Sequence, residues 1–570
     1  MALPVDRYLE RFDSLRTGRA QYDQRWQMVS DYILPRRDFS VASRPNQLRP
    51  HRVTSSLATS LNTRLAAFLL GYWLDASRPW LLPNVARGLA VTGRDTDLDD
   101  SSLRYLDSLA WNVFDHMMRP KGMLMLRGGQ MLKEFCAFGC GVIWQGRKRG
   151  FGPIFNSRAL GASWWSENEE GKIDCLYYRL SLPIYRVIER WPDAAPLWRN
   201  ASGQGKTDEL AFTDVILCCQ PRPGGKPGAV AVAKPFEFVA VSMEKKAVLE
   251  ESGYDSFPYA VFRYDPRPGE AYAEGPGCGV LPDVMVLNHL QQVMEAGASD
   301  KGMPPLAMPA RMFARALDRR PGAINHYNPS SLGLQRAGDA VVKLDFTGDL
   351  SEAAALIPQL KEDIQLGYFA DWMKLRTTGD MTAEEVNAWK DINNQGMSSI
   401  VANLEAPSSD MGDRALEIMK AEGSVPPPPN MLGGLDVDWE YAGPMALFRR
   451  QRQVNIGLQL INMRGLISEQ DSAAARAIDL EAVARMSVTA MGAPPNVTNS
   501  VAKVQAAREA DAHAAEQQAN AQKLALAAKA ASDGGSAASS AASAVQTMAP
   551  PQGPGADAPF APAAPFAQAA

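Results

Sequence analysis

The residues whose types and spacing could do chemistry are few, and each has a plainer reading. Gly203-Gln-Gly-Lys-Thr207 ends like a loop whose backbone N–H groups and lysine hold a nucleotide's phosphates. That pattern needs glycine at position 200 and an apolar strand before it; Asn200 stands there instead, preceded by Pro192, Asp193 and Pro196. The segment reads as a surface turn. Asp95-Thr-Asp97-Leu-Asp99 opens like a calcium loop, but Asp100 replaces the glycine of the sharp turn and Leu106 the final bidentate glutamate. These carboxylates suit the positive N-terminal end of a helix. Cys136 and Cys140 are one helical turn apart with no second ligand pair, so they read as buried small hydrophobes. The histidines, His51, His116, His289, His326 and His513, lie far apart, with no HExxH pattern, and no Gly-x-Ser-x-Gly elbow occurs. His289 neighbours an apolar helix face and reads as a packed or interface side chain. The expectation is a non-enzymatic chain with no catalytic residue, metal or cofactor.

Composition agrees. At 570 residues the chain can bury several cores, and 46% hydrophobic with 21% charged residues describes a soluble globular protein. A net charge of −4 excludes a dedicated nucleic-acid binder, so DNA contact should be local or loose. Six cysteines without framework spacing fit a reducing compartment. The most apolar run, Leu65 to Leu70, is too short to span a bilayer, and no membrane association is expected.

The elements follow from periodicity. Val5 to Ile33 reads as a helix with Tyr8, Phe12, Leu15, Tyr22, Trp26, Val29 and Ile33 on a recurring face, ended by Pro35. Arg36, Arg37, Arg44, Arg49, His51 and Arg52 follow as a basic stretch, either a solvated or subunit-contact loop or a nucleic-acid contact. Helices are expected over Ser55 to Leu74 and Ser101 to Met118. Strands are expected at Val142 to Gln145, Lys172 to Leu180, Ala211 to Gln220, Phe236 to Val241 and Ala260 to Tyr264.

A helical hairpin then organises the chain. Leu281 to Gly302 carries Pro282 in what reads as a first turn, and Leu287, Leu290 and Met294 form an apolar face. The return helix, Leu350 to Leu375, repeats Leu356, Leu360, Ile364, Tyr368 and Trp372 at four-residue spacing, with Pro358 kinking it or marking its start. The proline- and glycine-rich excursion over 304–349 should hold short strands and turns. Within it Arg311, Arg315, Arg319 and Arg320 face only Asp318, a charge that suits an acidic partner surface or a solvated face. A polar loop over 374–381 carries Lys374 and Arg376, and Thr382-Ala-Glu-Glu385 is a capping box that opens a long helix interrupted at Gly396 and Pro407. A strand at Val437 to Tyr441, alanine-rich helices at Ser468 to Met491 and Asn499 to Lys529, and a disordered tail from Ser532 complete the chain. The fold class is α+β, mainly helical.

Several dispersed motifs share an order: Tyr32-Ile-Leu-Pro-Arg-Arg37, Pro79-Trp80, Tyr272-Ala-Glu-Gly-Pro-Gly277, Leu281-Pro-Asp283, Leu287-Asn288, Pro304-Pro-Leu306, Pro321-Gly-Ala-Ile-Asn325, Met381-Thr-Ala-Glu-Glu-Val386 and Gly443-Pro-Met-Ala446. Together they resemble the head-to-tail connector (portal) proteins of T7-like short-tailed bacteriophages; Ala273 and Met445 depart from that pattern. The resemblance implies a dodecameric ring at one capsid vertex of the virion, through which double-stranded DNA is packaged and ejected without sequence recognition. It divides the chain into a mixed α/β wing (1–280), a first stem helix (281–303), a small clip (304–349), a second stem helix (350–373), a tunnel loop (374–381), a long bent wing helix and strand (382–442), a helical crown (443–531) and the tail (532–570). The implied partners are terminase and the tail adaptor protein at the clip, with scaffolding protein and the major capsid protein at the wing. Lys374 and Arg376 would then touch the DNA backbone, or else only cap the return helix. The competing function is a DNA-packaging ATPase whose phosphate loop has degenerated at Asn200.

Overall fold

The structure, a computed structural model, describes residues 4–35, 39, 53–85, 99–199, 210–303, 306–309, 318, 320, 323–327, 342–343, 351–373, 383–433, 435, 437–442, 456–466, 479–490 and 501–533. They form two compact units, residues 1–495 and 496–570. In the first unit the order is α1 (Val5–Tyr32), α2 (Leu57–Trp73), β1 (Leu81–Asn84), α3 (Asp100–Met117) and α4 (Leu124–Phe138). Then come β2 (Cys140–Lys148), β3 (Gly152–Arg158), β4 (Ser163–Glu167), β5 (Ile173–Pro183), α5 (Ile184–Arg190), α6 (Ala195–Arg199), β6 (Phe212–Pro221), β7 (Phe236–Ser242), β8 (Ala247–Tyr254) and β9 (Tyr259–Arg263). The hairpin follows: α7 (Pro276–Gly302), short strands β10 (Leu306–Pro309), β11 (Ile324–Tyr327) and β12 (Val342–Lys343), then α8 (Ser351–Gly367) and α9 (Ala370–Met373). Helix α10 (Ala383–Ala421), β13 (Asp438–Tyr441), a helix over 456–466 and α11 (Leu480–Ala490) complete the unit. The second unit holds α12 (Val501–Asp533).

Five antiparallel strands make the largest sheet, in the order β4-β5-β6-β7-β8, and β3-β2-β9 make a second. Helix α1 is fastened to the first of these by Arg19. Its guanidinium is 1% exposed, donates to the carbonyls of Leu160 (2.8 Å), Gly161 (3.1 Å) and Ser163, and lies 4.2 Å over the Trp164 ring. A buried charge is tolerated only when it is paired, and Asp23 adds an ion-pair contact to Nε at 2.7 Å. The face expected for α1 is the buried one: Tyr8, Phe12, Trp26, Val29 and Ile33 are all at most 1% exposed. Helix α3 begins as its acidic start suggested, with Asp99 accepting from the Ser102 N–H.

Helix α10 stands through the main core as a post. Ser408 accepts from the Trp73 indole at 2.7 Å, Ser409 donates to the Trp439 carbonyl at 2.8 Å, and Arg414 donates to the carbonyls of Gln145 (3.3 Å) and Ser256 (3.1 Å). It runs unbroken through Gly396 and Pro407, where an interruption was expected. Packing explains both: a Cβ on Gly396 would meet Trp372 at 2.9 Å, and the helix around Pro407 is held by the bonds of Asn403, Ser408 and Ser409 to other elements. Strand β13 pairs with β1, Leu81 opposite Tyr441 and Asn84 opposite Asp438.

Each expected strand lies within or largely overlaps an observed one, but β3, β4, β8 and helix α4 carry no clean period and were not anticipated. Cys136 lies in α4 whereas Cys140 opens β2, beyond a Gly139 at φ 93°, so the two do not share a helix face. Both are fully buried. The excursion forms a three-stranded sheet, β10 parallel to β11 and antiparallel to β12. Helix α12 extends to Asp533, two residues into the expected tail; residues 534–570 lie outside the described residues. Every described side chain of α12 but Val504 is exposed.

Candidate functional site

The hairpin is joined to the sheet region at its upper end by backbones in contact. Helix α7 opens five residues earlier than expected, with Pro276 in its first turn. A Cβ on Gly275 would lie 2.6 Å from the Gly139 nitrogen, and one on Gly277 2.5 Å from the Ala137 carbonyl oxygen. Only glycine permits that approach, which gives the Gly-Pro-Gly277 motif its physical reason. Tyr272 packs its ring on Trp165 (4.5 Å between centroids), Tyr22 (5.4 Å) and Trp26 (5.6 Å). Ala273, the departure from the family pattern, is 1% exposed and donates its N–H to the Cys140 sulfur at 3.3 Å, a place that suits a small side chain.

Pro282 lies inside α7 and not at its start. It has no N–H to offer the Cys278 carbonyl one turn back. Arg25 of α1 reaches that carbonyl instead at 3.4 Å, while also pairing with Glu274. Six residues further along α7, Asn288 is 2% exposed, and its side-chain oxygen accepts from the N–H groups of Thr54 and Ser55, both at 3.0 Å. Its amide donates to the Val284 carbonyl at 2.8 Å. The Leu287-Asn288 motif is thus a bracket that fixes the approach to α2 against α7.

Helix α8 returns along α7 so closely that a Cβ on Gly367 would sit 2.2 Å from a Val280 methyl. Pro358 lies within α8, whose break comes later, at Phe369 with φ 55°. The expected face therefore spans two helices. Its burial grows toward the joint: Leu356 is 50% exposed, Leu360 half-buried, and Ile364 and Tyr368 fully buried. Burial raises the Tyr368 phenol well above its ordinary value. Other side chains of the hairpin lie open to solvent: Met285, Val286 and Val293 of α7, Met303 just after it, and Leu356 and Leu366 of α8. His289 is exposed too, not packed within the chain. In α7 and α8, Asp283, Glu295, Asp300, Glu352, Glu362 and Asp363 stand against Lys301 and Lys361, an acidic balance.

Of the anticipated site residues, Arg320 is described. It is exposed and donates through Nε to both carboxylate oxygens of Asp318 at 3.0 Å, and these bonds pull the Asp318 carboxyl down to about 2. Arg311, Arg315, Arg319, Lys374 and Arg376 lie outside the described residues, as do Arg36, Arg37, Arg44, Arg49, His51 and Arg52, the segment over 200–209 and Thr382. Phe39 itself packs against Trp26 and Phe138. Among the described residues no group of His, Cys, Asp and Glu side chains could hold a metal, and no helix is long and apolar enough to cross a membrane. The close glycines of the joint and the Asn288 bracket were not foreseen as structural; the motifs around them were the available signal.

A mixed α+β subunit with a helical hairpin, and among the described residues no cluster that could hold a metal, is the frame into which the comparisons fit. The family model described as bacteriophage head to tail connecting protein matches residues 5–498, and the chain belongs to that family. It is similar to the "Probable portal protein" of Bordetella phage BPP-1, 22% identical over 468 residues, covering 78% of this chain and 80% of the relative. It is also similar to the "Portal protein" of Salmonella phage epsilon15, 22% identical over 556 residues, covering 93% and 95% respectively. Its function is that of a portal protein of a tailed phage, a structural and non-enzymatic component of the virion's head–tail junction.

Proposed function

We propose that twelve copies close into a ring whose central passage carries double-stranded DNA into the capsid and out again. The observation that carries this reading is the hairpin, anchored at one end and bearing exposed Met285, Val286, Val293, Leu356 and Leu366 along its length. Apolar side chains in such an array call for a cover that the described residues do not supply, and a repeated heterologous contact that closes gives a ring. In this reading α7 and α8 are the stem, the strands β10 to β12 belong to the clip, the sheets and α10 form the wing, and the C-terminal helices form the crown.

Arg311, Arg315, Arg319 and Arg320 are assigned to docking of the tail adaptor and terminase at the clip. The pairing of Arg320 with Asp318 reduces its share of that charge. Scaffolding and major capsid proteins are assigned to the wing, and Lys374 and Arg376 to the DNA backbone. The narrower affiliation with T7-like phages rests on the dispersed motifs alone. Averaged electron micrographs of the purified chain, with a nucleotide hydrolysis assay, test the reading: a ring with a channel and no hydrolysis is expected. A monomer at every salt and protein concentration overturns it.

A further inference from the structure

We propose that the contact between neighbouring stems is a matched antiparallel seam, in which α8 of one copy lies along α7 of the next and Leu366 seats beside α1; this rests on the ring reading above. On α7, Pro282, Met285, His289, Gln292 and Ala296 are all exposed and follow one another at spacings of three and four, the repeat of a helix-packing stripe. On α8, Leu366, Asp363, Gln359, Leu356 and Glu352 are exposed at the same spacings in the opposite direction. The contact of Gly367 with Val280 sets the level of the two antiparallel helices. At 1.5 Å per residue it brings Pro282 to within one residue of the level of Leu366, and likewise Met285 with Asp363, His289 with Gln359, Gln292 with Leu356 and Ala296 with Glu352.

The two stripes cannot meet within one chain, because α7 and α8 already pack through other faces that include Val280, Ile364 and Gly367. Rotation of a hairpin about a ring axis sets α7 of one copy beside α8 of the next, at equal height. Shape and charge then agree. Beside Pro282 and Met285 runs an open groove lined by Gln24, Arg25, Met28 and Leu281, level with the 53% exposed Leu366 of the neighbour. The α7 stripe carries no carboxylate, and Arg25 in its groove is already paired with Glu274, whereas the α8 stripe carries Asp363 and Glu352 and no cation. Setting these two stripes together places no carboxylate opposite another, whereas setting α8 against α8 of the next copy would.

Co-expression of chains carrying Met285→Cys with chains carrying Asp363→Cys tests the seam. A bifunctional maleimide reaching about the 8–10 Å between packed helices is the probe. The native cysteines are buried or nearly so, and unsubstituted chains serve as the blank. The expected result is a doubling of chain mass on a denaturing gel for this mixture. No doubling is expected when Met285→Cys is paired with Glu352→Cys, about 16 Å out of register. Rings by native mass without the dimer, or equal dimer in both mixtures, overturn the seam and leave the ring standing. Absence of rings even from unsubstituted chains overturns the ring reading and the seam with it. Should only the substituted chains fail to assemble, Gln292→Cys with Leu356→Cys asks the same question, by the same outcomes.

Discussion

Single residues govern how this chain responds to its surroundings. Burial raises the thiol of Cys278 from 9.0 to about 11 and that of Cys140 to about 12, and it raises the phenol of Tyr254 from 10.0 to about 12. In each case the folded chain favours the protonated form. The stability these groups contribute is therefore complete below the ordinary value near 9 and is lost as pH rises through about 11 to 12. For Cys278 alone the loss approaches 2–3 kcal/mol, roughly 1.4 kcal/mol per pH unit. The thermal midpoint should hold from pH 7 to 8 and fall steadily between pH 9 and 11; a flat profile to pH 11 contradicts the assignment. The same burial is why Cys136 and Cys140 read correctly as small hydrophobes, although their place on two different elements depended on the turn at Gly139.

At the scale of elements, the hairpin depends on a glycine that no side chain can replace without movement. Gly367→Ala places a methyl against the stiff, β-branched Val280, so α7 and α8 must separate, at about 1–3 kcal/mol. The denaturant midpoint should drop accordingly, and adding Val280→Ala should restore most of it; a neutral single variant removes the close-approach argument. Elements with their own period were legible: α1, α2, α3, both hairpin helices, and the central strands β5 to β7. Those whose pattern is supplied by neighbours were not. Strand β3 begins Gly152-Pro-Ile, and β8 carries Glu250, Glu251 and Gly253; their pairing with β2 and β7 decides their conformation. Pro282, Pro358 and Pro407 look like helix ends in the sequence, yet each is carried inside a helix. A missing hydrogen bond costs little where the surrounding elements hold the helix, as Arg25 does beside Pro282. The candidate site was legible through its motifs, while the glycine contacts at its joint exist only between segments far apart in sequence.

For the whole molecule, charge is the quantity that a conduit must manage. A wall binding many phosphates would release counterions and hold DNA fast, whereas the acidic balance of α7 and α8, if they line the passage as proposed, favours sliding. On that basis Lys374→Ala with Arg376→Ala should leave rings and procapsids normal while lowering DNA retention or packaged length. Exchange of Arg311, Arg315, Arg319 and Arg320 for glutamate should leave rings intact and abolish adaptor or terminase binding. Unchanged retention in the first, or unchanged binding in the second, refutes the corresponding assignment. The pairing of β1 with β13 carries a different consequence, for synthesis. Leu81 must wait for Tyr441, about 360 residues behind it on the ribosome, and at roughly 5–20 residues per second that is a delay of about 20 to 70 s. The main core closes only when most of the chain has emerged, so a prematurely ended chain lacks the strand that completes it and has no finished surface with which to enter, and spoil, a ring of full-length neighbours.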